Sequence, residues 1–291
     1  MGSLKNLLQN QSKTVNDMTE YEKEQYAQIK KWEGKEPSVV DKVTGAVLKP
    51  LSMLINVVVP KKAIEGALTC ADAVAKFLTD TNDVKRDSNV QNISELKTKD
   101  LELSDKLANN VHNWALGIAG TEGGGTGTAG LLGMAVDIPF IITLALRTIH
   151  KIGVCYGYEI NSSNADAEKA FVMGIMSVSG ANTMDEKNTA LLTLKQVYTL
   201  IQKNTWKRLG QQTVNKGAQA FLAKGVLEVK ALAGRLGVNL TKRKALQAVP
   251  VLGGAVGAAM NISFINDVAW AARRAYQRRW LLDNGKLIND R

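Results

Sequence analysis

Apolar residues recur along this chain at intervals of three and four, the spacing that lines up one face of an α-helix. Val39, Val40, Val43, Val47, Leu48, Leu51, Leu54 and Ile55 make the first such stretch, and Pro50 and Pro60 break it into short helices. Ile64, Leu68, Ala71, Ala75 and Leu78 form one face of an amphipathic helix. Residues 79–92 are turn formers and charges, and read as a linker. Leu96, Leu103, Leu107, Val111, Trp114 and Ile118 make the next stripe, with Ser104 as an internal N-cap and a stop at Gly120. A central helix over 128–152 follows, then one beginning at Asp166 and closed by Gly180-Ala181-Asn182. Leu191, Leu194, Tyr198, Ile201 and Thr205 mark another, Val214 to Leu236 the next, and Pro250 opens the last. No window alternates with period two for more than four or five residues. The pattern predicts an all-α, single-domain helical bundle, residues 36–291, preceded by a polar arm over 1–35 whose apolar positions are too scattered for a packed face.

Two apolar runs dominate. Thr126–Leu146 carries only Asp137 as a charge, and Ala245–Ile265 carries none. Their sequences correspond: Ile138 with Ile262, Phe140 with Phe264, Ile141 with Ile265, Ala145 with Ala269, and Asp137 with Asn261. This reads as one helical unit used twice, a pseudo-repeated central hairpin of helices 128–152 and 248–276. Each run is near the ~20 residues that a membrane span requires. Pro139, a glycine- and alanine-rich content and an acid at mid-segment argue instead for burial in a bundle, since an ionised acid at the bilayer centre costs about 2.5–3.5 kcal/mol. Buried, Asp137, Asn261 and Asp267 make a polar core that must be hydrogen-bonded, with a proton or ligand site at Asp137 as the functional alternative.

Charge changes this picture more than composition does. A hydrophobic fraction of 45% and a mean hydropathy of −0.10 are globular values. The net charge of +10, however, is concentrated: residues 191–245 hold 11 Lys/Arg against the single acid Glu228. Two polyanions answer a polycation, nucleic acid and an anionic membrane. Nucleic acid is disfavoured, because the few aromatics of that stretch read as inward and no recognition motif is present. Arg273, Arg274, Arg278 and Arg279 flank Tyr276 and run into Trp280-Leu281-Leu282. With Lys242, Arg243 and Lys244, they are the residues expected to meet a membrane or partner, as interfacial helices do with basic and aromatic side chains. The alternative is a solvated face whose Trp280 docks on the core. The N-terminus shows no secretory signal and Cys70 and Cys155 are the only cysteines, so a cytoplasmic, peripheral-membrane location is expected.

Catalytic signals are weak. Gly125-Thr-Gly127-Thr-Ala-Gly130 matches a dinucleotide fingerprint, but a helix precedes it and no acid follows at the right distance, so it reads as a helix–helix connection. His112 shares a polar helix face with Asn109 and Asn113 and reads as solvated. His150, Cys155, Tyr156 and Glu159 cluster in sequence as a candidate reactive group, although a spacing of five across a helix end does not make His150 and Cys155 face each other. No metal-ligand spacing or cofactor motif appears, so neither metal nor cofactor is expected.

The series Glu122-Gly123, Gly127, Gly130-Leu131-Leu132-Gly133, Asp137-Ile138-Pro139, Leu144-Ala145-Leu146-Arg147 and Tyr156-Gly157-Tyr158 resembles the signature of EcsC-family proteins. Val249-Pro250, Asn261, Phe264-Ile265, Asp267-Val268-Ala269 and Ala272-Arg273-Arg274 are similar to that family's C-terminus, the likeness covering about residues 40–282. The resemblance implies a bacterial or phage-borne protein tied to membranes and secretion, with an ABC-transporter system among its expected partners. It transfers no catalytic residues. The expected function is therefore non-catalytic docking on an anionic membrane surface or membrane protein through the basic C-terminal third. The alternatives are a conditional pore-former inserting 128–146 and 246–265, and an enzyme using Asp137 or the His150/Cys155 cluster.

Overall fold

A computed structural model of the chain describes residues 17–38, 61–69, 80–127, 130–160, 165–209, 229–245 and 253–288. The Val39–Pro60 stretch, residues 70–79, the first part of the 214–236 pattern and Pro250 lie outside the described residues. Those described are all-helical, with no strand. Nine α-helices are seen among the described residues: α1 Glu20–Glu33, α2 Lys61–Thr69, α3 Asn82–Ser88, α4 Leu101–Gly127, α5 Gly130–Cys155, α6 Ala165–Ser179, α7 Met184–Leu209, α8 Val229–Ala245 and α9 Gly253–Asp283. A 3₁₀ turn covers Ile93–Lys97.

The bundle is built around α9. Its most extensive packing is on α4, followed by α5, α6 and α1, while α8 packs mainly on α2. Between Phe264 and Leu282 it buries residues on every side, including Val268, Ala269, Ala272, Tyr276 and Leu281. The face of α4 that meets the interior joins part of the predicted stripe, Leu107 buried and Leu103, Val111 and Ile118 packed against the core, to a line of small and polar residues. Trp114 from that stripe is 45% exposed, whereas Ser104, Ala108, His112, Ala115 and Ala119, spaced at three and four, are buried. Small residues let two helices approach closely, and that proximity outweighs the area a Leu or Trp would bury. At Gly120 a Cβ would stand 3.2 Å from Cδ1 of Ile262, so the two helix axes stay close at that level too.

Several local expectations change. Residues 20–33 are no loose arm. Thr19 caps α1 by accepting from the Glu22 amide (3.2 Å), and the Glu22 carboxylate accepts from the Thr19 amide (2.8 Å). Ile29 is then fully buried, and the Tyr21 hydroxyl donates to Asp105 of α4 at 2.7 Å. The 79–92 linker contains α3, held to α5 by Lys151, whose ammonium donates to Asp83 (2.5 Å) and to the Asp80 carbonyl (2.6 Å). Ser104 is interior to α4 rather than a cap. Asp100 holds that end by accepting from the Leu103 amide at 2.7 Å. Helix α4 does not stop at Gly120 but runs through the glycines to Gly127, despite their low helix propensity. The two apolar stretches whose sequences correspond sit in different surroundings: Ile138 is buried, while Ile262 is 36% exposed.

The end of α5 shows why Tyr-Gly-Tyr stands there. The Gly157 amide donates to the Val154 carbonyl and the Tyr158 amide to the Gly153 carbonyl, both at 2.9 Å, with Gly157 at φ +90°. This left-handed closure suits glycine. A Cβ at Gly157 would lie 2.7 Å from the Lys97 backbone nitrogen and 3.2 Å from the Ile93 carbonyl oxygen. Gly157→Ala is expected to lower stability by about 2–3 kcal/mol in urea denaturation. Gly117→Ala, at an exposed site of α4 where a Cβ meets nothing within 4 Å, is expected to be neutral or stabilising by up to about 1 kcal/mol.

Candidate functional site

The arginines expected to face a membrane point inward, because α9 has no outer face over this stretch. Arg279 makes a two-pronged ion pair with Glu168 of α6 (2.7 and 2.6 Å), its guanidinium stacked 3.9 Å from the Tyr158 ring centre. Arg273 donates to Asn109 (3.0 Å), and Arg274 to Gln277 (2.8 Å) and Gln25 of α1 (3.0 Å). Trp280 is buried, and its indole N–H points at the Leu96 carbonyl (3.4 Å). Arg243 donates to Asn239 (2.9 Å), Ser263 (2.7 Å) and Asp267 (2.6 Å). Arg278 is half-buried, and its Nη2 has no partner among the described residues. The side chains of Lys242 and Lys244 lie outside the described residues. The expectation of a basic, membrane-facing tail is thus corrected for Arg243, Arg273, Arg274, Arg279 and Trp280. A buried charge is tolerated only when paired, and the sequence carries the partners for these arginines on α1, α4, α6, α8 and α9.

The polar core is wider than expected. Asp267 pairs with Arg243 and accepts from the Ser38 hydroxyl, and Asn261 is buried at 1% exposure. Helix α5 runs through residue 137, but the Asp137 side chain lies outside the described residues. The centre that sequence reading missed is Asp105, 3% exposed, which accepts from Tyr21, Tyr156 and Gln277. The second tyrosine of the Tyr-Gly-Tyr end, Tyr158, donates to Asp283 at 2.8 Å, as does Tyr198. Burial and the neighbouring carboxylates hold the Tyr156 and Tyr158 phenols well above their usual range, so they act as donors. His112 is also buried rather than solvated. Its Nε2 lies 3.1 Å from Asn266 Oδ1, its ring is edge-on to Trp270, and burial then Arg273 push its pKa down.

The His150, Cys155, Tyr156 and Glu159 group is not assembled as a reactive centre. His150 is buried, and burial with nearby Lys169 brings its pKa down to about 4. Cys155 is fully buried, and burial pushes its thiol up to about 12, the reverse of an activated thiolate. No hydrogen bond joins these two among the described residues, Tyr156 is given over to Asp105, and Glu159 is half-buried just beyond the helix. Among the described residues, no group of three or more His, Cys, Asp or Glu is placed to hold a metal ion.

What the fold does provide is a cavity of about 300 Å³ between α1, the α6–α7 turn, α8 and α9. Arg243, Lys187 and Arg274 line it, with Trp32 and Trp270 on its walls. Lys187 reaches across from α7 to the end of α1, where it donates to the Trp32 (2.5 Å) and Lys35 (2.6 Å) carbonyls. Burial lowers its pKa. Of the expected polar core and basic residues, Asp267, Arg243 and Arg274 therefore meet here. A second cavity of about 350 Å³ lies between α3, α4 and α5, where Arg147 stacks on exposed Trp114 at 4.6 Å.

This architecture, with its Tyr-Gly-Tyr closure and its arginine-rich final helix, coincides with a match of the EcsC protein family profile over residues 23–281. The chain belongs to the EcsC family. The match takes in most of α1, consistent with that helix being part of the bundle. This EcsC protein is also similar to the uncharacterized protein YdbA of Bacillus subtilis (strain 168), 26% identical over 198 residues. That alignment covers 67% of this chain and 65% of YdbA, less than two thirds of the relative's length. No solved structure matches the chain.

Two outcomes follow for the EcsC core. Glu168→Gln leaves Arg279 buried without its counter-charge and is expected to cost about 3–5 kcal/mol in urea denaturation. His150 is held neutral in the fold, so the unfolded chain binds the extra proton as pH falls from about 6.5 to about 4. Stability therefore declines with acidification across that window, by on the order of 3 kcal/mol from this residue. Denaturation midpoints at falling pH are expected to drop less in His150→Leu than in the parent chain.

Proposed function

We propose that this EcsC protein is a non-catalytic binding protein that docks, from the cytoplasmic side, on an anionic membrane surface or a membrane protein. Its contact is the basic stretch 191–245 rather than the tail. The observation that carries this reading is the contrast of charge: a balance of +10 within that stretch, Arg243 alone of its cations being buried in an ion pair with Asp267 among the described residues, against −3 over residues 1–190. The internal pairing of Arg273, Arg274 and Arg279 sharpens it, since those charges are already answered inside the protein. Near an acidic leaflet each free Lys or Arg contributes roughly 1 kcal/mol, so a handful suffices for reversible attachment. A subunit of an ABC-transporter system is one membrane protein such a stretch would meet, provided its surface there is acidic.

Burial of α5 favours docking over insertion. Ile138–Cys155 is, among the described residues, one helix long and apolar enough to cross a bilayer, but 72% of that window is inside the bundle. Withdrawing it would expose the packing on α4 and α9 and leave the Asp105–Tyr156 pair broken.

Liposome flotation with simultaneous dye release tests the proposal. The full chain is expected to float with vesicles containing acidic lipid and not with neutral ones, to release no dye, and to lose binding as salt shortens the Debye length to about 8 Å and below. Replacing Lys203, Lys207 and Arg208 by Glu is expected to weaken flotation at least tenfold, a loss of roughly 1.4 kcal/mol. Equal binding to neutral vesicles would reject the electrostatic contact, and leakage would transfer the case to insertion.

A further inference from the structure

The cavity between α1, the α6–α7 turn, α8 and α9 plays no part in the docking reading, and the charge of its wall is one-sided. Two of its cations are buried: Arg243 is 1% exposed and Lys187 4%. Lys31 and Lys35 stand exposed at its rim, and Arg274 closes the side towards α9. Only Glu36 and Asp267 oppose these five among the lining residues, a net charge of +3. The buried pair is held in place rather than loosely gathered. Asn239, Ser263 and Asp267 fix the Arg243 guanidinium, and two backbone carbonyls fix the Lys187 ammonium. Both tryptophans already carry a cation on the ring, Lys187 at 4.9 Å from the Trp32 centre and Arg274 at 4.9 Å from that of Trp270.

We propose that this cavity is a binding site for a small phosphorylated ligand, one phosphate group carrying a short organic remainder. The sign of the wall excludes a cation. Its volume of about 300 Å³ is at the small end of ligand pockets, which excludes a polymer. Phosphate is favoured over a carboxylate because Arg243 has already spent its planar fork on Asp267, Ser263 and Asn239. The exposed ammonium groups of Lys31 and Lys35 at the rim, with the remaining donor of Lys187, are point charges rather than a planar fork, which suits a tetrahedral dianion better than a flat carboxylate. An anion held there would also offset the burial that lowers the Lys187 pKa. Val178, Ala181 and Ala271 line the same cavity and provide apolar wall for the remainder of the ligand.

The ligand chemistry is shared by soluble phosphorylated metabolites and by lipid headgroups. Isothermal titration of the full chain with inorganic phosphate and with glycerol phosphate, in the absence of membrane, tests the site separately from the docking reading. Saturable binding is expected for both, tighter for glycerol phosphate, with a change in tryptophan fluorescence. Lys31→Glu with Lys35→Glu alters only exposed side chains and is expected to weaken binding about tenfold or more while leaving thermal unfolding unchanged. Lys187→Met is the interior counterpart, with the same loss expected if its unfolding remains cooperative. Absence of saturable binding with either probe, or a double variant that binds as tightly as the parent chain, overturns the proposal. Competition by vesicles containing phosphatidic acid assigns the site to a lipid headgroup, and failure to compete assigns it to a soluble ligand; both results support it.

Discussion

A helix buried on every side must find partners inside the protein for whatever polar groups it carries. Helix α9 is in that position, and it carries Arg273, Arg274, Gln277 and Arg279. Each is answered from a different direction: Asn109 and Asp105 on α4, Gln25 on α1 and Glu168 on α6. An unpaired guanidinium in such surroundings would cost several kcal/mol, so these contacts fix the positions of the other helices around α9. Apolar packing supplies the driving force, but it is tolerant of sliding. The directional bonds of the arginines and the glutamine select one arrangement.

Where the sequence spoke through periodicity, it was legible. The all-α class followed from the three–four spacing and the absence of alternation, and the end of α6 at Gly180 was readable from local chemistry, while α5 runs three residues past its expected end at 152. What misled was the assumption that only large apolar residues mark the inner face and that charged ones mark the outer. On α4 the buried set includes Ser104, Ala108, His112, Ala115 and Ala119 beside Leu101 and Leu107, most of it thin, and Trp114 stands outside. On α9 four arginines in seven residues looked like a solvated or membrane-facing patch, because the distant partners of Arg279, Arg273 and Arg274 lie 111 to 249 residues away in sequence.

The site was less legible than the fold. Asp267 and Arg243 were singled out for separate reasons, one as polar core and one as membrane contact, and they form a single ion pair on a cavity wall. Lys187 and Trp32 carried no signal at all, since a lone lysine at the start of an amphipathic helix is ordinary. Only the fold brings the end of α1 against the α6–α7 turn. Asp105 was equally silent: one acid among the alternating charges that open α4, distinguished only by the tyrosines and glutamine that converge on it.

The docking of α1 has a consequence for how the chain is made. Gln25 and its partner Arg274 are 249 positions apart, and Lys286 returns to the Asp17 carbonyl across 269. At the ~5–20 residues per second of protein synthesis, on the order of 10–50 seconds separate the emergence of the first helix from that of the last. For that interval α1 and the inner face of α4 leave the ribosome without the helix that covers them. Small side chains on α4 leave little sticky surface during the wait, so the thin face that permits close packing in the finished protein also limits unwanted association before it is finished.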